Sequence, residues 1–326
     1  MRTCLCLLSI VLGLWAPVSA QSVVKFGVIP TESSVNLRAD YEPLRAALEG
    51  RLGIKVEMFF APDYTSVIEA MRFNQVHLAW FGNNSAIDAV DRAQAEVFAQ
   101  TVDKDGNAGY WSQIVVHRDS PISSLDDLLS RRGQLTLSMG DAQSTSGTLV
   151  PGYYAFALNK VNPAREFKAV RAANHEANMM AVAMRQIDAA TTNNESFFRL
   201  EQARPEMAAR LKVIWTGPLI ASDPLLYRKD LPAELRARIA EFFHTYGATP
   251  EERATIAPLK WSGFKPADNN QLLPYRLLRV MRERVTIEND DKLAPAEKAS
   301  RLAALAAQQE ALEARVQASG TTVSAP

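Results

Sequence analysis

The chain has 326 residues, and its 36 Lys plus Arg balance 36 Asp plus Glu, so the formal net charge at pH 7 is zero. With 47% hydrophobic and 22% charged residues, the composition is that of a globular protein and excludes collagen-like, disulfide-stapled and largely disordered chains. A pI near 6.9 supplies no positive field that would attract a phosphate backbone, so nucleic acid is not expected as a partner. At about 100 to 200 residues per domain, the length predicts two lobes with separate cores.

The first twenty residues have the pattern of a secretory signal peptide. Arg2 precedes an apolar run over 4–15, and the segment ends in the small residues Ser19 and Ala20. This pattern predicts cleavage before Gln21, and the apolar run is too short to span a bilayer. An uncleaved anchor is the alternative, because a single positive charge is fewer than most signal peptides carry.

Both cysteines, Cys4 and Cys6, lie inside the predicted signal peptide. A lipoprotein would need its cysteine at the end of the apolar run, whereas these two stand at its start. The mature chain is therefore expected to have no thiol, which excludes disulfides, thiolate nucleophiles and cysteine-ligated metals. Because no later stretch reaches about 18 apolar residues, we expect a soluble mature protein.

From Val23 onward, short β-branched or aromatic runs alternate with amphipathic helical patterns, which predicts an α/β fold with a parallel sheet and helical crossovers. Apolar residues at helical spacing, as at Leu44, Leu48 and Leu52, separate the runs. Turn signals at 103–109 and 217–224 are the candidate connections between two lobes. The predicted strands are 23–30, 54–62, 77–83, 111–118, 135–140, 167–172, 187–194 and 211–218.

The tail over 294–318 differs from the rest, because it is rich in Ala, Glu, Gln and Leu. Its apolar residues form one narrow stripe that Gln309 interrupts, a pattern typical of coiled coils. Three interpretations stay open: a terminal helix packed on its own lobe, a homodimer through the C-terminal helix, and a partly frayed tail. The residues of the stripe are Leu302, Leu305, Leu312 and Val316.

A run of hydroxyl residues, Ser144, Thr145 and Ser146, follows a predicted strand and leads into a helix. Hydroxyl groups and backbone N–H groups converge at such a helix start and can hold an anion without a lysine. The alternative is that one hydroxyl only caps the helix. The run is not a phosphate-binding P-loop, because no lysine follows Gly147.

His175 also follows a predicted strand and begins a helix, so its ring could donate a hydrogen bond to the same anion. A lone histidine is more often an ordinary core or surface residue, and the spacing of the four histidines indicates no metal site. Carboxylates and tyrosines near other strand ends, where α/β folds expose ligands, are further candidates, although each could be a solvated acid or a core tyrosine. These candidates are Glu195, Asp223, Tyr64 and Tyr110.

Taken together, these residues resemble the periplasmic phosphonate-binding proteins of ABC importers. The resemblance covers nearly the whole mature chain, and its blocks include FGVIPTES, FFAPDY, MRFNQVHLAWFGN, GYWS, LVPGYY, NHE, TNNE and FFHTYG. It implies that Ser144, Thr145, Ser146 and His175 hold the phosphonate group, and that Tyr64, Tyr110, Glu195 and Asp223 face the amino group of 2-aminoethylphosphonate. The chain departs from the family pattern at Gln143 and by a one-residue insertion between Tyr154 and His175.

The resemblance also implies the type II periplasmic-binding fold, in which two α/β lobes joined by crossing strands close on the ligand by hinge motion. Lobe one would comprise 21–105 and 222–285, lobe two 106–221, and the helical tail 286–326. The implied protein is periplasmic, delivers a phosphonate to the membrane permease of an ABC importer, and uses no cofactor or metal.

Three rival functions stay open at this point. A hydrolase would use Ser144 or Ser146 as nucleophile with His175 as base, but the G-x-S-x-G elbow is missing from the sequence. The same fold could bind phosphite, an alkylphosphonate or another small oxyanion, which would leave two carboxylates without a cationic partner. A binding subunit could also signal to a membrane sensor.

Overall fold

The computed structural model describes residues 23–320, so the predicted signal peptide lies outside the described residues. No helix in the described range is long and apolar enough to cross a membrane. The strands, in chain order, are β1 (Val23–Val28), β2 (Lys55–Phe60), β3 (Leu78–Trp80), β4 (Ala95–Asp103), β5 (Gly109–His117), β6 (Thr136–Met139), β7 (Ala169–Ala172), β8 (Ala189–Asn193), β9 (Leu211–Ala221), β10 (Pro224–Arg228) and β11 (Trp261–Pro266).

Helices alternate with these strands over most of the chain. Two π-helical turns, Thr145–Leu149 and Gly152–Phe156, follow β6, and short 3-10 turns occur at Arg132–Gln134, Ala157–Asn159, Ala257–Leu259 and Asn269–Leu272. The α-helices are α1 (Ser34–Leu52), α2 (Tyr64–Arg72), α3 (Asn83–Arg92), α4 (Leu125–Ser130), α5 (Pro163–Glu166), α6 (His175–Ala183), α7 (Asn194–Ala203), α8 (Pro205–Ala208), α9 (Ala233–Thr245), α10 (Pro250–Ile256), α11 (Leu273–Glu288) and α12 (Pro295–Ser319).

The strands form two mixed sheets, with the orders β11-β4-β10-β3-β1-β2 and β7-β6-β8-β5-β9. In the first sheet β1 pairs in parallel with β2 and β3, whereas β10 is antiparallel to β3 and β4, and β11 is antiparallel to β4. In the second, β6 is parallel to β7 and β8, and β5 is antiparallel to β8 and β9. The α/β class is confirmed, and both sheets contain antiparallel strands in addition to the parallel pairs that strand–helix alternation predicts.

Three strands, β4, β10 and β11, were not predicted as strands. β10 has only five residues and stands directly after a connection between the sheets, so it shows little periodicity. β11 contains a glycine and ends in Pro266, and it occupies the edge of its sheet, where a proline removes no ladder bond that the sheet needs. Both strands are antiparallel additions to the parallel part of the first sheet.

Two connections join the sheets, as the turn signals predicted. β4 leads into β5 through residues 104–108, and β9 leads into β10 through residues 222–223. The first sheet therefore draws its strands from 23–103 and 224–266, and the second from 109–221. The lobe boundaries stay a prediction, and the proposed boundary at 285 falls inside α11.

Each sheet has its own core. In the first, Tyr41 and Trp80 pack on Trp261 with ring centroids 5.7 and 5.5 Å apart, and all three rings are buried. In the second, Ile114 and Val115 are fully buried but belong to separate apolar clusters, because successive side chains of β5 point to opposite faces. Both sheets are thus rigid supports for the residues at their strand ends.

The apolar stripe of the tail packs on the same chain. Leu305, Leu312 and Val316 of α12 are buried in a cluster with Leu277 and Val280 of α11, and Leu302 lies at its margin. The interpretation of a terminal helix packed on its own protein therefore accounts for the stripe. A contact between two copies would need another face of α12, and dimerisation stays a prediction.

Candidate functional site

Helix caps place three of the predicted site residues. In each case an Asp or Asn side chain accepts a hydrogen bond from a backbone N–H group in the first helical turn, at 2.7 to 2.8 Å. The site residue follows within two positions, so the cap fixes where its side chain begins. The pairs of cap and site residue are Asp63 with Tyr64, Asn174 with His175, and Asn193 with Glu195.

Seven of the eight predicted site residues line one small cavity between the two sheets. A larger cavity of about 760 Å³ lies against α11 and contains none of the eight. Six further residues line the small cavity, namely Ile29, Thr31, Trp80, Gly82, Asn193 and Arg199. The cavity is polar, because hydroxyls, carboxyls, an imidazole and a guanidinium surround it.

One end of the cavity carries neutral hydrogen-bond donors. The Ser144 Oγ accepts from the Gly147 N–H at 2.9 Å and lies 3.4 Å from the His175 Nε2. The Ser146 Oγ accepts from the Asn193 Nδ2 at 3.0 Å. Because the Ser146 Oγ acts as an acceptor here, its hydroxyl hydrogen remains available to an anion. The Ser144 hydroxyl also forms a hydrogen bond with the Tyr64 hydroxyl. Ser144 is therefore a helix cap that also faces the cavity.

His175 is an uncharged member of this end. Its side chain is buried, and burial together with the charge of Arg199 lowers the pKa of the imidazole to about 3. A neutral ring carries one N–H, so it can donate a single hydrogen bond without adding positive charge.

Thr145 does not line the cavity. Its Oγ1 accepts a hydrogen bond of 2.8 Å from the backbone N–H of Asn84, in the first turn of α3. Thr145 thus joins the segment after β6 to a helix that packs on the other sheet. Its predicted contact with a phosphonate stays a prediction, and the contact seen here is one that holds the two sides together.

The opposite end of the cavity carries two buried carboxyl groups. Asp223, in the connection between β9 and β10, accepts hydrogen bonds from the Tyr110 hydroxyl at 2.8 Å and the Asn83 Nδ2 at 3.3 Å. Burial and the neighbouring charge of Glu195 raise the pKa of Asp223. Burial raises the pKa of Glu195 to about 7, against the opposing effect of Arg199.

Tyr64 lies between these ends. Its backbone N–H donates to the Asp141 Oδ2 at 3.2 Å, and its buried hydroxyl forms a hydrogen bond with Ser144. Burial raises the pKa of Tyr64, so the phenol stays protonated and can donate. The hydroxyl is therefore next to the donor end, although the resemblance assigned Tyr64 to the amine end.

Comparison with known proteins places the chain in a family. The family model described as "ABC transporter, phosphonate, periplasmic substrate-binding protein" matches residues 26–272. The chain belongs to this family of periplasmic phosphonate-binding proteins. It is 45% identical over 293 residues to the phosphonates-binding periplasmic protein of Escherichia coli, covering 90% of this chain and 86% of that protein.

Two further relatives of this binding-protein family illustrate its range. The crystal structure of a binding protein component of an ABC phosphonate transporter from Pseudomonas aeruginosa has a TM-score of 0.91 at 46% identity, over 92% of this chain and all of that one. A phosphate-import protein of Mycolicibacterium smegmatis is 28% identical over 68% of this chain and 70% of its own length. The type II periplasmic-binding fold is therefore confirmed.

The cavity of this phosphonate-binding protein also contains a buried ion pair that the sequence did not predict. The Arg199 Nε donates to the Glu32 Oε1, and its Nη2 donates to the Ser196 Oγ at 3.0 Å. Glu32 follows β1, whereas Arg199 is on α7, so the pair joins the two lobes. The spacing of four residues from Glu195 to Arg199 places both on one face of α7, and this is the signal that could have pointed to Arg199, although not to its partner Glu32.

Other hydrogen bonds also cross between the lobes. The Gln143 side chain donates to the Asp88 Oδ2 at 2.8 Å and accepts from the Arg279 Nη2 at 3.3 Å. The Glu176 carboxylate accepts from the Ser33 N–H at 2.9 Å. These contacts hold the two sides of the molecule together, so the structure is a closed form. Gln143, the departure from the family pattern, is thereby one of the residues that join the lobes.

Three polar atoms of the cavity lining are buried without a hydrogen-bond partner among residues 23–320. They are the Thr31 Oγ1, the Trp80 Nε1 and the His175 Nδ1. A buried polar atom without a partner is costly and rare in native proteins. Their convergence on one cavity indicates a polar ligand at this place.

Proposed function

We propose that this periplasmic binding protein captures 2-aminoethylphosphonate and delivers it to the permease of an ABC importer. The observation that carries the proposal is the polarity of the cavity: neutral donors at one end and two buried carboxyl groups, Glu195 and Asp223, at the other. A ligand with an anionic and an ammonium end matches this division. We propose that it lies with its phosphonate toward Ser144, Ser146 and His175.

The amine end supports an ammonium ligand on electrostatic grounds. Glu195 is 7% exposed and Asp223 is 6% exposed, and burial of an ionised carboxylate is costly unless a cation accompanies it. The hydrogen bonds to Asp223 come from neutral groups, and Arg199 already pairs with Glu32. An ammonium group between the two carboxylates would supply the missing positive charge.

The phosphonate end supports recognition by geometry. Ser144 and Ser146 present hydroxyls at the start of a helical segment, whose first N–H groups have no partner inside the helix. His175 stands at the first position of α6, and its backbone N–H donates to the Thr31 carbonyl at 3.1 Å, so its side chain is the group available to the ligand. Tyr64 would add a fourth donor from the other lobe, because its hydroxyl is next to Ser144.

Closure follows from the division of these groups between lobes. Glu195, Ser144 and His175 belong to lobe two, whereas Tyr64 belongs to lobe one and Asp223 lies in the connection between the lobes. Only the closed form brings all of them to one ligand, so a zwitterionic phosphonate has a higher affinity for that form. Binding then shifts the population toward closure.

Another oxyanion is the second candidate, because a phosphate-import protein is among the relatives. Phosphate or methylphosphonate would use the hydroxyl end but leave both carboxyls without a cation. A hydrolase is less well supported. Ser144 is 3.4 Å from the His175 Nε2, but an imidazole with a pKa of about 3 is a poor general base at neutral pH.

Calorimetry on the mature chain tests the proposal. We expect one site per chain for 2-aminoethylphosphonate, with a free energy of binding of about −8 kcal/mol or stronger, equivalent to a micromolar Kd or below. Phosphate and methylphosphonate should bind at least about tenfold more weakly, a loss of about 1.4 kcal/mol. Phosphorus NMR after incubation should recover the ligand unchanged. Equal affinity for methylphosphonate would contradict the amine pocket, and product signals would contradict a pure binding role.

We also propose that the mature chain begins at Gln21 and that it forms a homodimer through the C-terminal helix. Mass spectrometry of secreted protein measures the first point, and light scattering measures the second. Because the apolar stripe of α12 is buried against α11, the contact would use the exposed polar face. A mass of one chain at high protein concentration would contradict the dimer.

A further inference from the structure

The two carboxyl groups of the cavity have an unbalanced charge when both are ionised. Among residues 23–320, neither Glu195 nor Asp223 forms an ion pair within 4.0 Å. The two cations nearest to them are committed elsewhere, because Arg199 pairs with Glu32 and the Lys260 Nζ is 2.8 Å from the Asp103 Oδ2. Lys260 also forms an ion pair of 3.3 Å with Asp105, so neither cation has positive charge to spare, and the two cavity carboxylates together leave two negative charges in a buried space.

The groups that face this carboxyl pair come from both lobes. The charged ones form the two ion pairs just described, and the remaining ones are neutral phenols and one imidazole. They are Glu32, Tyr41, Tyr64, Asp103, Tyr110, His175, Arg199, Lys260 and Tyr275. No neighbour in the described range supplies a spare positive charge to the carboxyl pair, so the compensation comes either from a ligand or from a proton.

We propose that a proton on the Glu195–Asp223 pair takes the place of the ligand's ammonium group, so that pH selects which class of phosphonate the closed cleft accepts. The inference rests on the proposed function and extends it. With both carboxyls ionised, the cleft takes an aminoalkylphosphonate. With one carboxyl protonated, it takes an amine-free alkylphosphonate of the same length, whose terminal methyl group then faces a neutral acid.

The proton balance follows directly. When the protonated pair binds an aminoalkylphosphonate, one proton leaves to solvent, because the ammonium and the proton compensate the same charge. When the ionised pair binds an amine-free ligand, one proton is taken up from solvent. The Thr31 Oγ1 and Trp80 Nε1, buried without partners in the cavity lining, can meet either ligand. The difference between the two ligand classes is thus one bound proton.

The pH range follows from burial. Burial raises the pKa of Glu195 to about 7, so Glu195 holds a proton below neutrality and loses it above. Burial and the charge of Glu195 also raise the pKa of Asp223. His175 stays neutral in this range because its pKa is about 3, and burial keeps the pKa of Tyr110 above its usual value. Acidification therefore weakens binding of the aminoalkylphosphonate and strengthens binding of the amine-free ligand.

The test is calorimetry with 2-aminoethylphosphonate and n-propylphosphonate, in which a methyl group replaces the ammonium. Between about pH 8 and about pH 6, one linked proton predicts a loss of about tenfold for the first ligand and a gain of about tenfold for the second. Titrations at one pH in two buffers of different ionisation enthalpy measure the number of protons exchanged on binding. This number should differ by about one between the two ligands.

Two variants serve as controls, because Glu195→Gln and Asp223→Asn each imitate one protonated carboxyl. Either variant should bind n-propylphosphonate at about pH 8 nearly as tightly as the unmodified protein does at about pH 6, with a much smaller pH dependence. The ionisation of each ligand is the same whichever protein it binds. Its effect therefore cancels when the affinities of one ligand for the unmodified protein and for the two variants are compared at the same pH.

The outcomes separate this inference from the proposed function. If 2-aminoethylphosphonate fails to bind at about pH 8, the proposed function is wrong. Suppose instead that it binds there, that the affinity ratio of the two ligands in the unmodified protein is the same at both pH values, and that both ligands release or take up the same number of protons on binding. The proposed proton exchange would then be wrong, and the proposed function would stand.

Discussion

Glu195→Ala is expected to weaken the binding of 2-aminoethylphosphonate by about 2 to 5 kcal/mol, or roughly 30- to 5,000-fold. The substitution would leave a desolvated ammonium group with Asp223 as its one remaining carboxylate. For n-propylphosphonate the same change removes a buried carboxyl that had no cationic partner, so binding should weaken little or improve. Calorimetry with both ligands would therefore show that discrimination between them is lost.

A matched control comes from the same helix. Glu201 is exposed on α7, so Glu201→Ala changes the charge by the same amount without touching the cavity. It should leave the affinity for both ligands within about twofold, because exposed substitutions usually shift free energies by about 0.5 kcal/mol or less. If Glu195→Ala weakened both ligands by the same factor, the carboxylate would act through lobe structure and the amine pocket would have to be abandoned.

At the phosphonate end, Ser144→Ala should reduce affinity by about 1.5 to 3 kcal/mol, roughly ten- to 150-fold, because it removes a donor to a charged group. His175→Ala should fall in this range or above it. Thr145→Ala is expected to lower affinity as well, but through its bond to the Asn84 N–H, which joins the lobes. Ser130→Ala, on an exposed residue of α4, is the control.

Stability measurements separate binding from capping for Ser144. Its Oγ caps the segment after β6 by accepting from the Gly147 N–H, so loss of the hydroxyl should also lower the free energy of unfolding without ligand by about 1 kcal/mol. A variant that loses this stability but binds 2-aminoethylphosphonate normally would show that Ser144 is only a helix cap. Unchanged binding in all three variants would remove the hydroxyl run and His175 from the site.

For the candidate site, the sequence predicted which residues come close together better than it predicted their contacts. Tyr64, His175 and Glu195 each follow a capping Asp or Asn at a strand-to-helix junction. This signal is local, so it can be recognised in the sequence without knowledge of the fold. The pair of Glu32 and Arg199 could not be found in this way. Its partners are 167 residues apart in sequence and stand after strands of different sheets, so no local pattern connects them.

The tail and the first sheet show what the periodicity of apolar residues cannot predict: the partner of a helix face and the pairing of strands. The stripe that includes Leu305 and Leu312 fixes an apolar helix face, but the same spacing suits a partner helix in this chain or in another copy. Parallel pairing was inferred from strand–helix alternation, which describes β1 to β3 correctly. The antiparallel strands β10 and β11 enter that sheet after the chain returns from lobe two, and no local pattern records this return.

A crystal structure of the mature chain with 2-aminoethylphosphonate tests the orientation of the ligand most directly. We expect the phosphonate oxygens within hydrogen-bonding reach of Ser144, Ser146 and His175, and the nitrogen about 2.7 to 3.2 Å from carboxylate oxygens of both Glu195 and Asp223. A ligand bound in the reverse orientation, or in the larger cavity against α11 with the small cavity unchanged, would contradict the division of this site into a phosphonate end and an amine end.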